Sequence, residues 1–110
     1  MSGSRWVLES ARAILPDVRE RTARAVSEVD RLEEQRRSAT GPDGAELDQR
    51  IQSEMSRWVR EMDALGVTVK GVWSVDFDTG NGSFCWRWPE DDLQWFEGSE
   101  EGFRERFRIQ

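Results

Sequence analysis

Five residues in the second half of the chain carry the polar chemistry from which a site could be built: Asp76, Cys85, Arg87, Glu90 and Arg106. Two carboxylates and two guanidinium groups suit the clamping of a small polar ligand, because a planar guanidinium pairs bidentately with an oxyanion. The same four charges also suit one another, and internal ion pairing that fixes a sheet to the C-terminal segment is the commoner use of such a set. Cys85 is the only cysteine and the chain has no histidine. No intrachain disulfide can form, and nothing obvious lowers the thiol pKa, so a small packed residue is expected at 85 rather than a nucleophile. The usual zinc sets and the commonest general base are likewise missing, so no metal, no cofactor and no catalytic residue is assigned, and the residues lean away from an enzyme.

These residues sit in or beside the stretch from Val72 to Phe96, which holds four of the six tryptophans. Its alternation predicts antiparallel strands: Trp73, Val75 and Phe77 point one way, Ser74 and Asp76 the other. The return strand repeats this with Phe84, Trp86 and Trp88 against Cys85 and Arg87. A turn at Thr79–Gly82 sets Trp73 opposite Trp88, Val75 opposite Trp86 and Phe77 opposite Phe84. A second turn through Pro89–Asp92 brings Trp95 opposite Trp86 and leaves Gln94 and Phe96 beside Arg87 and Cys85. One face is then almost wholly aromatic, with Trp73, Trp86, Trp88 and Trp95, and should pack on helices. The other is thin and polar, and a site would have to lie there.

Two helices precede this sheet. Apolar positions Leu8, Ala11, Leu15, Val18, Thr22, Ala25, Val29 and Leu32 step by threes and fours, a heptad stripe in which Pro16 predicts a break or kink near Leu15. Asp17 with Arg21, Glu20 with Arg24 and Glu33 with Arg37 are spaced four apart on the exposed side. Ser38–Gly44 reads as the loop, with Thr40, Pro42 and Asp43 opening a second helix that carries Leu47, Ile51, Met55, Trp58, Met62 and Leu65 and ends at Gly66. The expected fold is α+β in a single domain over 1–110: a long antiparallel helical hairpin over 8–66, then a small antiparallel β-meander of about three strands and an extended tail over 67–110. That tail, with Arg104, Arg106 and Arg108 between Phe103, Phe107 and Ile109, follows an acidic turn and should pair with Trp6 or the sheet edge.

Composition narrows the function classes. At 110 residues, 36% hydrophobic and 35% charged, the chain has room for one core and exposes much of its helices. The formal net charge is -6, and the sheet half is acidic, which argues against the phosphate backbone of nucleic acid as a partner. No apolar run approaches a membrane span, and no signal-peptide pattern opens the chain, so a cytoplasmic protein without membrane contact is expected.

Several short signatures resemble the small bacterial proteins catalogued as domain of unknown function 2203, over nearly the whole chain. They are Trp6 through Leu15-Pro16, Leu65-Gly66 followed by Val69-Lys70, Val75-Asp76-Phe77, Cys85-Trp86-Arg87 with Glu90, then Trp95, and Gly102-Phe103 with Arg106. Val7 stands where the family has Thr, Gly71 where an acid follows the lysine, and Phe96 where a histidine follows the tryptophan. The resemblance implies a fold and a surface patch that would gather Asp, Cys, Arg and His; it implies no reaction. Two functions remain in play. One is a non-enzymatic homodimeric structural or interaction module that self-associates through the helical stripe. The alternative is a small polar-ligand or metabolite-binding domain built on Asp76, Arg87, Glu90 and Arg106.

Overall fold

A computed structural model of the chain describes residues 5–98 and 106–109. Helix α1 spans Leu8–Ser38 and helix α2 spans Gly41–Leu65. They pack side by side as the expected hairpin, joined by Ala39 and Thr40 alone, a shorter connection than the sequence suggested. Pro16 lies inside α1 and does not divide it. Its ring faces solvent while Leu15 and Val18 beside it are buried, so the packing that holds those two offsets the one backbone hydrogen bond that proline cannot donate. At about 1.5 Å per residue α1 is roughly 46 Å long, close to the 48 Å long axis of the molecule.

Helix termini are closed in ways the sequence only partly announces. Val7 offers no capping oxygen, but Ser10 Oγ accepts from the Val7 N–H at 3.1 Å and donates to its carbonyl at 3.0 Å. Gly66 ends α2 at φ +86°, and the N–H groups of Gly66 and Val67 return to the Asp63 and Met62 carbonyls. Of the three expected i,i+4 pairs, Asp17–Arg21 forms at 2.8 Å. Arg24 instead crosses to Glu54 and Glu61 on α2, and Arg37 takes Glu34, one position nearer than Glu33.

The sheet has five strands rather than three, all antiparallel and in chain order: β1 Thr68–Gly71, β2 Ser74–Asp78, β3 Gly82–Arg87, β4 Trp95–Gly98 and β5 Arg106–Arg108. The added edges were hidden because β1 is four mostly exposed residues and β5 is Arg-Phe-Arg. The extended tail does pair with the sheet edge, through β5; the acidic turn expected from Glu97 begins later, because Glu97 and Gly98 belong to β4, and its remainder with Phe103–Arg104 lies outside the described residues. Val75 faces Trp86 and Phe77 faces Phe84, as the alternation requires. Trp73 is not in a strand. It sits in the β1–β2 turn at φ +59°, held edge-on against Trp58 at 5.0 Å, although its carbonyl still accepts from the Trp88 N–H at 2.9 Å.

The register of β4 corrects a second expectation. Cys85 pairs with Trp95 and Phe84 with Phe96, so Trp95 lies on the outer polar face and Phe96 on the inner aromatic one. A one-residue slip inverts every side chain of a strand. The cause is that residues 88–94 form a longer excursion than a tight turn, with Leu93 buried in the core as its anchor. Phe96 meets Phe84 edge-on at 5.4 Å, and position 96 therefore faces away from Cys85. Inside, Trp58, Met62, Leu15, Val75, Phe77 and Trp86 belong to one continuous core between the helices and the inner face of the sheet.

The helix-to-helix register rests on one buried polar contact. Trp58 Nε1 donates to Thr22 Oγ1 at 2.9 Å, and that hydroxyl donates in turn to the Val18 carbonyl at 2.7 Å. Thr22→Val keeps the volume and strands the indole N–H, so it should cost about 1–3 kcal/mol in chemical denaturation. Adding Trp58→Phe should cost less than the two single losses combined, because the orphaned donor goes with it.

Candidate functional site

Alternation along β2, β3, β4 and β5 delivers the outer face: Ser74 pairs with Arg87, Cys85 with Trp95, Trp95 with Arg108 and Glu97 with Arg106. A cavity of about 250 Å³ opens on it, lined by Ser74, Cys85, Arg87, Glu90, Trp95 and Arg106 among others. Four of the five residues singled out in the sequence thus share one cavity. Asp76, the fifth, lies next to Cys85 across the strands but lines a second, smaller cavity of about 140 Å³ with Lys70, Asp78, Ser83 and Glu97.

The cavity's charged groups are held by the backbone around them. At the end of β3 the chain turns back so that the Glu90 N–H donates to the Arg87 carbonyl at 2.9 Å, while Glu90 Oε1 accepts the Arg87 N–H at 3.0 Å. Trp86 Nε1 donates to the Glu90 carbonyl at 2.8 Å, tying this turn to a core side chain. On the far side Arg106 lies over the Trp95 ring at 5.2 Å and Arg108 over the same ring at 5.8 Å. Stacking of this kind restrains a guanidinium while leaving its donors free in the ring plane. Among the described residues neither Arg87 nor Arg106 forms a salt bridge. The mutual pairing of the four charges expected as the bland alternative is absent there: Glu90 engages the backbone of Arg87, not its guanidinium.

Asp76 and Cys85 form a separate unit. Asp76 is 7% exposed, with Lys70 Nζ at 3.7 Å. Burial raises its pKa, while the Cys85 hydrogen bond and the Lys70 charge pull the other way without prevailing. The Cys85 thiol lies 3.8 Å from the Ser83 carbonyl and is pushed up to about 12, first by burial and then by the neighbouring Asp76 carboxylate. At neutral pH it is a protonated thiol and a poor nucleophile. Among the described residues no group of three His, Cys, Asp or Glu side chains could hold a metal ion, and no helix is long and apolar enough to cross a membrane.

Sequence reasoning missed Trp95, Ser74 and the stacking role of Arg108. The signal was available in β5: Arg106 and Arg108 flank Phe107, so an aromatic inner row forces both arginines outward, onto the face of Trp95. The thiol's environment is testable directly. Alkylation of native protein with iodoacetamide should show no thiolate inflection below about pH 11, given a thiol near 12. Asp76→Asn, which removes a charge but not the burial, should bring the inflection only part of the way back toward an ordinary thiol, read by mass spectrometry across pH.

No curated protein and no solved structure matches the chain. Residues 5–109 match the model of a family described as Uncharacterized conserved protein (DUF2203). That match takes in both helices, all five strands and every residue of the outer-face cavity, and the chain belongs to this family.

Proposed function

We propose that the protein is a non-catalytic binding module whose outer sheet face takes a small anionic molecule. The observation that carries this reading is a single cavity containing two guanidinium groups with no carboxylate partner among the described residues, on a chain whose net charge is -6. Surface arginines on an acidic protein ordinarily find acids, and two left available at one concavity have donors to offer a ligand. Ser74 adds a hydroxyl and Trp95 an aromatic wall. Catalysis is not part of the reading, because the one potential nucleophile in the cavity has its pKa pushed up to about 12. The expected outcome is that small carboxylates or inorganic phosphate, titrated into ¹⁵N-labelled protein, give saturable shifts at the Trp95 indole and the Cys85 amide. Arg87→Gln and Arg106→Gln should each weaken binding by about tenfold or more, the worth of one charge-assisted contact. A panel in which nothing saturates, or in which the arginine variants bind as well as wild type, removes the proposal.

Self-association through the helices is a second reading, with a different seam from the one the sequence suggested. The α1 stripe is consumed within the chain: Ala11, Leu15, Val18, Ala25, Val29 and Leu32 are all buried. What α2 leaves outside is an open groove bordered by Gln52, Met55, Ser56, Val59 and Arg60, with Val59 40% exposed. A second copy packed there would give a dimer of twice 12.8 kDa in sedimentation at tens of micromolar, reduced to monomer by Val59→Glu. A well-folded wild-type monomer at that concentration dismisses this reading.

A further inference from the structure

Within the reading of the outer-face cavity as a binding site, on which this inference rests, we propose that its ligand is a zwitterion carrying both a carboxylate and a protonated amine, the chemical class of a free amino acid. The reason is Glu90. An anion site built only for negative charge would exclude carboxylates from its wall, since a like charge nearby costs affinity. Here Glu90 lines the same cavity as Arg87 and Arg106, and its position is no accident of a loose side chain. Its N–H, its carbonyl and its Oε1 are each engaged, by the Arg87 carbonyl, the Trp86 indole and the Arg87 N–H respectively.

With Oε1 committed to a backbone N–H, the second carboxylate oxygen of Glu90 has no hydrogen-bond partner among the described residues. The wall therefore presents two cationic donors and one anionic acceptor. A zwitterion satisfies both signs: its carboxylate meets the guanidinium groups, and its ammonium, which has three donors, meets Glu90 and the Ser74 hydroxyl. An inorganic phosphate dianion would gain from the arginines but oppose Glu90. A cation alone would meet the reverse conflict. The cavity, about 250 Å³ and walled on one side by the Trp95 ring, lies just under the usual range for ligand pockets, which suits a single small metabolite rather than a peptide or nucleotide.

The test compares ligands on the wild-type protein, so it does not depend on any variant folding. L-alanine, L-phenylalanine, N-acetyl-L-alanine, L-alaninamide and inorganic phosphate are titrated separately while the Trp95 indole and Cys85 amide are followed by NMR. The inference expects at least one of the two free amino acids to bind about tenfold or more tighter than N-acetyl-L-alanine, L-alaninamide and phosphate, one charge-assisted contact being at stake on each side. Glu90→Gln keeps an amide oxygen to accept the Arg87 N–H; it should erase the advantage over N-acetyl-L-alanine and leave the latter's affinity unchanged or improved. If N-acetyl-L-alanine or phosphate binds as tightly as the tighter-binding of the two amino acids, the zwitterion inference is overturned and the anion site stands. If no member of the panel saturates, both fall together.

Discussion

An indole that leaves water needs somewhere to send its N–H, and the architecture turns on how the buried Trp58 and Trp86 and the half-buried Trp6 meet that need. Trp58 donates to Thr22 across the helical hairpin, Trp6 donates to the Gly66 carbonyl where α2 ends, and Trp86 donates to the Glu90 carbonyl beyond the end of β3. Each bond adds a direction that the apolar core lacks, because hydrophobic burial is non-directional, and for the buried Trp58 and Trp86 an unsatisfied donor would cost about 1–3 kcal/mol. Trp6 adds a backbone bond from its N–H to Asp78 and an edge-on contact with Phe77. Trp6, two residues before the first helix, thus clamps the hairpin to the second strand.

The same constraint builds the cavity. Because Trp86 must find its acceptor, the chain after β3 turns back at Glu90 instead of running on into β4, and Leu93 then plugs the core before the strand resumes. Arg12 and Arg19 hold this excursion from α1 through Asp92 and Asp91. Those two ion pairs are largely exposed and contribute little energy, so the position of the excursion rests on buried Leu93. Position within the excursion sets the parity of β4, and parity decides that Trp95 rather than Phe96 forms the wall beside Cys85. At Gly82 the strands come so close that a Cβ would stand 2.4 Å from the Glu97 carbonyl oxygen and 2.6 Å from the Phe96 ring. Only glycine lets β4 approach in that register.

How much of this the sequence disclosed follows from which signals were local. The heptad stripe of α1, the apolar stripe of α2, the αL glycine at 66 and the Val75–Trp86 and Phe77–Phe84 pairings all rest on neighbours a few residues apart, and appear as expected; only Trp73, expected opposite Trp88, leaves the strand. The pairing of β4 depends on an excursion whose length is set by a core contact, which no alternation rule contains. A stronger use of the aromatic rule would have recovered it: Phe77, Phe84, Phe96 and Phe107 occupy one row across four strands. Placing all four on the inner face sends Trp95, Arg106 and Arg108 outward together. The row also fades, from fully buried Phe77 to Phe107 at 50% exposure, as the sheet passes beyond the cover of the helices. The charged residues were legible as a set, yet their division into an arginine–glutamate cavity and a separate Asp76–Cys85 pair was not, since it depends on Lys70 in a strand that the sequence did not reveal.

That division gives the outer face its chemical character. A carboxylate beside a thiol can work as base and nucleophile when the thiolate is stabilised, but here both groups are shifted toward their protonated forms. Burial dominates each shift; the Asp76 charge raises the cost of ionising Cys85, while the neutral thiol's hydrogen bond to Asp76 opposes the rise there. Arg106 is the cation that pulls Cys85 the other way, and it does not prevail. Arg106 is also stacked on Trp95 and lines the cavity. Cys85 stands across the strands from Asp76 and lines the arginine cavity as a neutral thiol, so it adds no charge of its own to that wall.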